Sequence, residues 1–211
     1  CSSDLNNNTA FGDSALKYNA TGTPNDAFGY QALTSNTTGY SNVAVGYQSL
    51  YTNTVGAANT AVGQGSLSSN TANFNTAMGW YALNSNTTGT PNEAFGKQAL
   101  QSNTTGYANV AVGYQALTSN TTGVSNTAVG YQALNANTIG VENTAVGTQA
   151  LWKVTTGSAN TAVGVNAANT ITTGGGNTII GDNCQASAVG ATYQMILGQG
   201  ITALEIGRAH V

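Results

Sequence analysis

Charge is scarce in this chain: four Lys or Arg and seven Asp or Glu are spread over 211 residues, for a net charge of −3. Four cations cannot form the basic face that neutralises phosphates, so nucleic-acid binding is excluded. Histidine occurs once, at His210, and cysteine twice, at Cys1 and Cys184. That supply offers no disulfide framework, no clustered metal ligands and little nucleophile–base chemistry. No stretch approaches the ~20 continuous apolar residues of a membrane helix, so no membrane insertion is expected. Only two prolines are present. Richness in Asn, Thr and Gly together with low charge is a mark of disordered, low-complexity tracts. Against that reading stand a 40% hydrophobic content and apolar positions that recur on schedule.

The schedule is a repeat. The pentapeptide N-T-A-V-G, or a variant, starts at Asn8, Asn25, Asn42, Asn59, Asn75, Asn92, Asn109, Asn126, Asn143, Asn160 and Asn177, with a degenerate copy, QMILG, at Gln194. Each spacing is 17 residues except one of 16, where SNTANF (69–74) has lost a residue. A longer duplication lies on top, since copies one to three (NTAFG, NDAFG, NVAVG) match copies five to seven (NTAMG, NEAFG, NVAVG). Phased copies of this length are the signature of a solenoid, in which each unit is too small to fold alone and is stabilised by its neighbours.

One unit reads N-T-A-V-G-Y-Q-A-L-x-S-N-T-T-G-x-x. Seventeen residues are too few for a helical hairpin, and glycine every few residues disfavours helix. Thr and Val favour strands, while Gly and Asn supply turns. The expected fold is therefore all-β: a parallel β-solenoid, or β-roll, of 11–12 coils with two short strands per coil, TAV and YQAL. At about 4.8 Å per coil the body would be roughly 55 Å long.

Numbering columns from the repeat's Asn, column 5 is Gly in all twelve copies, which suits a tight corner or a close backbone approach. Column 4 is always apolar: Phe11, Phe28, Val45, Val62, Met78, Phe95, Val112, Val129, Val146, Val163, Ile180 and Leu197. Column 9 is Leu16, Leu33, Leu50, Leu67, Leu83, Leu100, Leu117, Leu134 and Leu151, before it decays to Ala168. Columns 4 and 9 are expected to form the core. Column 1, Asn in eleven copies, suits a stacked amide ladder at a corner. Column 3 is Ala from Ala10 to Ala162, then Ile179 and Ile196, and its small residues suggest a place where another chain approaches. With so thin a core, oligomerisation is expected to supply part of the stability.

Catalytic chemistry is hard to assemble from these residues. Cys184 falls in a column otherwise held by Ala or Ser, so it reads as a small core residue. Asp13, Asp26, Glu93, Glu142 and Asp182 are scattered singly, which suits solvated corners better than acid–base work. No column carries the repeated Asp of calcium-binding β-rolls. The GGG at 174–176 precedes a strand rather than a helix, unlike a phosphate loop. No enzyme activity, cofactor or metal site is expected. Asn-x-Thr acceptor sequences at Asn36, Asn103 and Asn120 come with the repeat. The best recognition candidate is column 6, whose tolerance of Asp13, Gln64, Lys97 and Asp182 marks it as outward-facing. Its Tyr30, Tyr47, Trp80, Tyr114 and Tyr131 could stack on sugars, or else cover the solenoid flank or an intersubunit seam. Column 2 carries Thr9, Thr60, Thr76, Thr127, Thr144, Thr161 and Thr178, an array that makes ice binding the alternative function, although Asp26, Val43, Glu93 and Val110 interrupt it.

The two ends depart from the pattern. CSSDL at residues 1–5 can be encoded by TGCTCTTCCGATCT, and the reverse complement of that stretch encodes the Ile-Gly-Arg-Ala of residues 206–209. Both ends resemble a translated sequencing-library adapter. Residues 1–5 and 204–211 therefore read as adapter translation and 6–203 as one repeat domain, an internal fragment of a longer protein from an environmental read. His210 and Cys1 would then be foreign.

The NTAVGYQAL…SNTTG grammar over Asn8 to Ala203 resembles repeats of phage and bacterial tail-fibre proteins, and N-T-A-V-G is similar to the NSVAIG-type coil of trimeric autotransporter adhesin heads, the YadA-like β-roll. The resemblance implies a left-handed β-roll assembled as a homotrimer. It also implies exposure on a virion tail fibre or bacterial cell surface, and a role in attachment to a cell-surface glycan or protein receptor. The seventeen-residue coil is longer than that of the adhesin heads.

Overall fold

A computed structural model describes residues 7–202 of the chain. The proposed adapter-derived ends, with Cys1 and His210, lie outside the described residues. Twelve short strands make one sheet: β1 (Thr9–Phe11), β2 (Asn25–Phe28), β3 (Asn42–Val45), β4 (Thr60–Val62), β5 (Asn75–Met78), β6 (Asn92–Phe95), β7 (Asn109–Val112), β8 (Thr127–Val129), β9 (Thr144–Val146), β10 (Thr161–Val163), β11 (Thr178–Ile180) and β12 (Met195–Leu197). They stack in chain order, every neighbouring pair parallel. The register is the repeat itself: Asn25 lies against Asn42, Ala27 against Ala44 and Phe28 against Val45. The chain is a parallel β-solenoid, as the period requires.

Two expectations are corrected. The first concerns the second strand. The YQAL segment forms no strand, because every second residue in it takes a left-handed backbone: Gln31 (φ 55°) and Leu33 (φ 51°), then Gln48 (φ 53°) and Leu50 (φ 50°). The alternation points the amides of the two left-handed residues along the solenoid axis in opposite directions, while the residue between them bonds within its own coil, as Ser49 N–H does to the Gly46 carbonyl. Gln48 N–H donates to the Tyr30 carbonyl of the coil before (3.0 Å), while Leu50 N–H donates to the Ser66 carbonyl of the coil after (3.0 Å). This ladder of turns satisfies the backbone as a strand would, over a shorter path. Leucine in the left-handed region costs about 1–2 kcal/mol. Complete burial of the Leu side chain, worth roughly 1.5–3 kcal/mol, offsets that strain.

The second correction concerns the core. Side chains alternate across a strand. The Asn of column 1 and the Ala of column 3 point inward and are buried, so columns 2 and 4 point outward. None of the column 4 side chains expected in the core is buried; Phe11 is 67% exposed, while Val45, Val62, Phe95, Val129 and Val163 are half-buried. The column 9 leucines from Leu33 to Leu151 are fully buried, as expected. Ala27, Ala44 and their column 3 equivalents through Ala162 join them, with the alanines of column 8. Column 3 is thus the tight interior of each coil and offers no approach to another chain. An interior lined by Ala and one Leu per coil has no room for a row of Val and Phe as well.

Two stacked amide ladders complete the interior. In column 1, Asn42 Nδ2 donates to Asn25 Oδ1 (3.0 Å), and the Asn42 backbone N–H donates to the same oxygen (3.1 Å). In column 12, Asn103 Nδ2 donates to Asn86 Oδ1 (2.8 Å) and Asn120 Nδ2 to Asn103 Oδ1 (2.8 Å). The Gly carbonyl of column 15 clips the two ladders together, since Gly56 O accepts from both Asn42 Nδ2 and Asn53 Nδ2 at 2.9 Å. A buried amide left unpaired would cost several kcal/mol at worst, and here most rungs are fully paired. The column 5 glycines are obligatory. Gly113 sits at φ 135°, and a Cβ there would lie 2.4 Å from the Gly130 carbonyl oxygen of the next coil.

Candidate functional surface

Immediately after the column 5 glycine, the chain leaves the sheet and presents column 6 to solvent. Tyr30, Tyr47, Trp80, Tyr114 and Tyr131 are all exposed, between 38% and 49%. The solenoid gathers them into two groups. Tyr30 and Tyr47 stack with centroids 5.5 Å apart and planes 14° from parallel. Tyr114 and Tyr131 stack at 5.3 Å and 8°. Lys97, in the same column, extends the second group: its Nζ lies 4.5 Å from the Trp80 ring centroid and 5.7 Å from that of Tyr114. Tyr81 packs edge-on against Trp80 at 4.5 Å and 70°.

This geometry decides what the aromatic column can do. Successive rings are one coil apart and nearly parallel, so their faces turn along the rod toward one another. Ring edges and phenol hydroxyls face the solvent. Stacking of a sugar on a tyrosine face, the mode expected of isolated surface aromatics, is open only where a group ends, as at Tyr131 beside Thr148. Between the groups stands Gln64, which has no ring. Sequence reading identified the column but missed that Lys97 is held between two aromatic rings, although their shared column one coil apart carried that signal.

Column 7 runs beside it as a third amide ladder. Gln48 Nε2 donates to Gln31 Oε1 (2.8 Å), Gln115 Nε2 to Gln98 Oε1 (3.1 Å) and Gln132 Nε2 to Gln115 Oε1 (2.9 Å). It breaks at Gly65 and Tyr81, where the Tyr81 ring occupies the space that a side chain at residue 65 would need.

The other residues singled out are dispersed. Asp13 and Asp182 belong to column 6, Asp26 and Glu93 to column 2 on the outer sheet face, and Glu142 to a left-handed corner at φ 58°. Among the described residues, no three His, Cys, Asp or Glu side chains come together as a metal site would need. Cys184 is buried in column 8, where its thiol donates to the Gly198 carbonyl (3.0 Å). The Gly174 carbonyl of the GGG stretch accepts from Asn160 Nδ2 (2.9 Å), an interior role equivalent to that of Gly56. Asn36, Asn103 and Asn120 are fully buried ladder rungs, so the folded chain presents none of these amides for glycosylation. No helix among the described residues is long and apolar enough to cross a membrane.

That column 4 shares the outer sheet face with the threonines of column 2 was not anticipated. Columns 2 and 4 lie side by side along it, as Thr127 with Val129, Thr144 with Val146, Thr161 with Val163 and Thr178 with Ile180. No protein-family model, no curated protein and no solved structure matches this chain.

Proposed function

We propose that this chain is a rigid structural and attachment segment of an extracellular fibre, borne on a virion tail or a bacterial cell surface and assembled as a homotrimer. Its work is geometric: it holds a recognition surface at a fixed distance and performs no catalysis. The observation that supports this reading is the unbroken twelve-strand parallel ladder, with interior amide ladders running along it. At about 4.8 Å per strand it is a rod roughly 55 Å long. Each coil is held on both sides, so bending requires breaking several hydrogen bonds at once. Specificity for a cell-surface glycan or protein receptor would reside in the exposed groups of column 6, Trp80 with Lys97 and Tyr114 above all. A glycan array probed with the labelled chain tests the attachment role. Binding that falls at least tenfold in Trp80→Ala and Lys97→Ala supports it, and binding that ignores both substitutions overturns the assignment to column 6.

One observation favours a second reading. Thr127, Thr144, Thr161 and Thr178 form four consecutive outward rungs at one-coil spacing, a regular array of the kind that could order water for ice binding. Thermal hysteresis in a nanolitre osmometer separates the two, since the fibre reading expects none.

A further inference from the structure

We infer that column 4 is the seam through which copies of this chain pack side by side along their length. The inference rests on the rod reading above and names the surface by which the rod finds its partner. Its basis is a contrast between columns of equal opportunity. Columns 2 and 6 both face outward, and the twelve-fold repetition has let charge into each: Asp26 and Glu93 in the first, Asp13, Lys97 and Asp182 in the second. Column 4 lies between them, with Phe11, Phe28, Met78, Val112, Val146, Ile180 and Leu197 at 37% exposure or more. It is apolar in every copy. Nothing inside the coil demands this, because the interior is filled by columns 3, 8 and 9. An outward column free to drift would carry polar residues as its neighbours do. One that stays apolar along the whole rod is covered.

The dimensions point to a second copy as the cover. Counted out to the flanking columns, the stripe is about 13 Å wide and 55 Å long, roughly 700 Å². Apolar patches on typical monomers reach about 300–600 Å², and a stable interface takes about 800 Å² from each partner. Its side chains recur once per coil, at about 4.8 Å. A surface with that spacing over twelve rungs is matched by another solenoid of the same pitch, whose own column 4 presents complementary ridges and grooves. The arrangement also has the anatomy of an interface, an apolar centre between rims that tolerate charge.

Sedimentation equilibrium of the full chain in reducing buffer, with far-UV circular dichroism and small-angle scattering on the same samples, tests the seam. Wild type is expected at a multiple of 21.2 kDa. Val112→Glu and Val146→Glu place charge at the centre of the seam. They should return the chain to 21.2 kDa with its β signal intact, the self-dissociation constant rising on the order of a hundredfold. Val112→Ser, milder for the fold, should shift it in the same direction. Val110→Glu and Thr144→Glu, in the column that already carries Glu93, should leave the mass as in wild type. A wild-type monomer with normal β signal and rod-like scattering overturns the seam and the homotrimer and leaves only the rigid single-chain rod standing, while column 4 variants that keep the wild-type mass overturn the seam alone. A wild-type chain without β signal overturns the rod itself, and the inference with it.

Discussion

The coils up to Glu142 and those from Asn143 onward share one backbone path, up to the last coil where Gln185 leaves the left-handed turn, but not one interior. In the first region, column 12 is an Asn ladder and column 9 an unbroken row of Leu. In the second, column 12 becomes Val154 and Ile171, column 9 passes from Leu151 to Ala168 and Gln185, and column 3 grows from Ala to Ile179 and Ile196. The volume removed at Ala168 returns at Ile179 in the same buried cluster. Column 5 does not change, and column 1 stays Asn until Gln194: Asn177 Nδ2 still donates to Asn160 Oδ1 (2.8 Å), and Gly164 and Gly181 keep φ near 130°. The comparison separates columns that shape the coil from columns that only fill it. The corner amides and the glycine set the path, while polar, hydrogen-bonded filling and aliphatic filling both serve provided the volume is conserved. The boundary is visible atom by atom. Asn137 Oδ1 is buried without a partner because the next rung is Val154, which has nothing to donate.

The largest expected effect is one that both regions share. Gly113→Ala and Gly164→Ala each drive a methyl into the backbone of the following coil at a φ closed to other residues. Each should cost on the order of 4 kcal/mol, and the costs should be similar in chemical denaturation. Unequal losses would show that the path is not common to the two halves. Next come the fillings. Leu117→Ala should cost about 3 kcal/mol. Ala168→Leu, which writes the first region's residue into the second, should overpack against the aliphatic filling there and cost about 2 kcal/mol. A stabilising Ala168→Leu would mean that the second interior is underfilled rather than differently filled.

A smaller effect sharpens the boundary. Asn120→Val cuts the amide ladder in its middle and strands Asn103 Oδ1, at about 2 kcal/mol. Asn137→Val merely moves the ladder's end back one coil, exchanging one unpartnered oxygen for another, and should stay within about 1 kcal/mol of wild type. Equal losses at the two sites would refute the account of the ladder as a chain with an end. The smallest effect concerns the sixteen-residue coil. There the Ala72 carbonyl takes the place of the column 15 glycine, accepting from Asn59 and Asn70 at 2.8 Å, and Asn53 Oδ1 is left unpartnered. Inserting a Thr between Thr71 and Ala72 restores the period and should raise stability by about 1 kcal/mol, read from the same denaturation curves.

The period made the architecture legible. Seventeen-residue spacing between Asn25, Asn42 and their equivalents is the strand register itself, and recurring Gly and Asn mark the corners. The orientation of the strand was harder to read. Hydrophobicity favours burying Val45 and Phe28, yet the period of two allows only columns 1 and 3, or 2 and 4, to face inward. The deciding fact is the width of the coil, set by left-handed residues such as Leu33 and Gln31. No propensity assigns that conformation to leucine. The aromatic column was legible as a column, but whether its rings offer faces or edges depends on how neighbouring coils align Tyr114 with Tyr131.

By itself, then, the sequence determined that this is a parallel solenoid with Gly corners, stacked Asn and a buried Leu row, because repetition at a fixed period leaves successive copies no other way to satisfy backbone and side chains together. Only the tertiary structure decided which apolar column is outside. A coil narrowed by left-handed turns has room for Ala and Leu but not also for Val and Phe, and the excluded column becomes the rod's exposed apolar stripe.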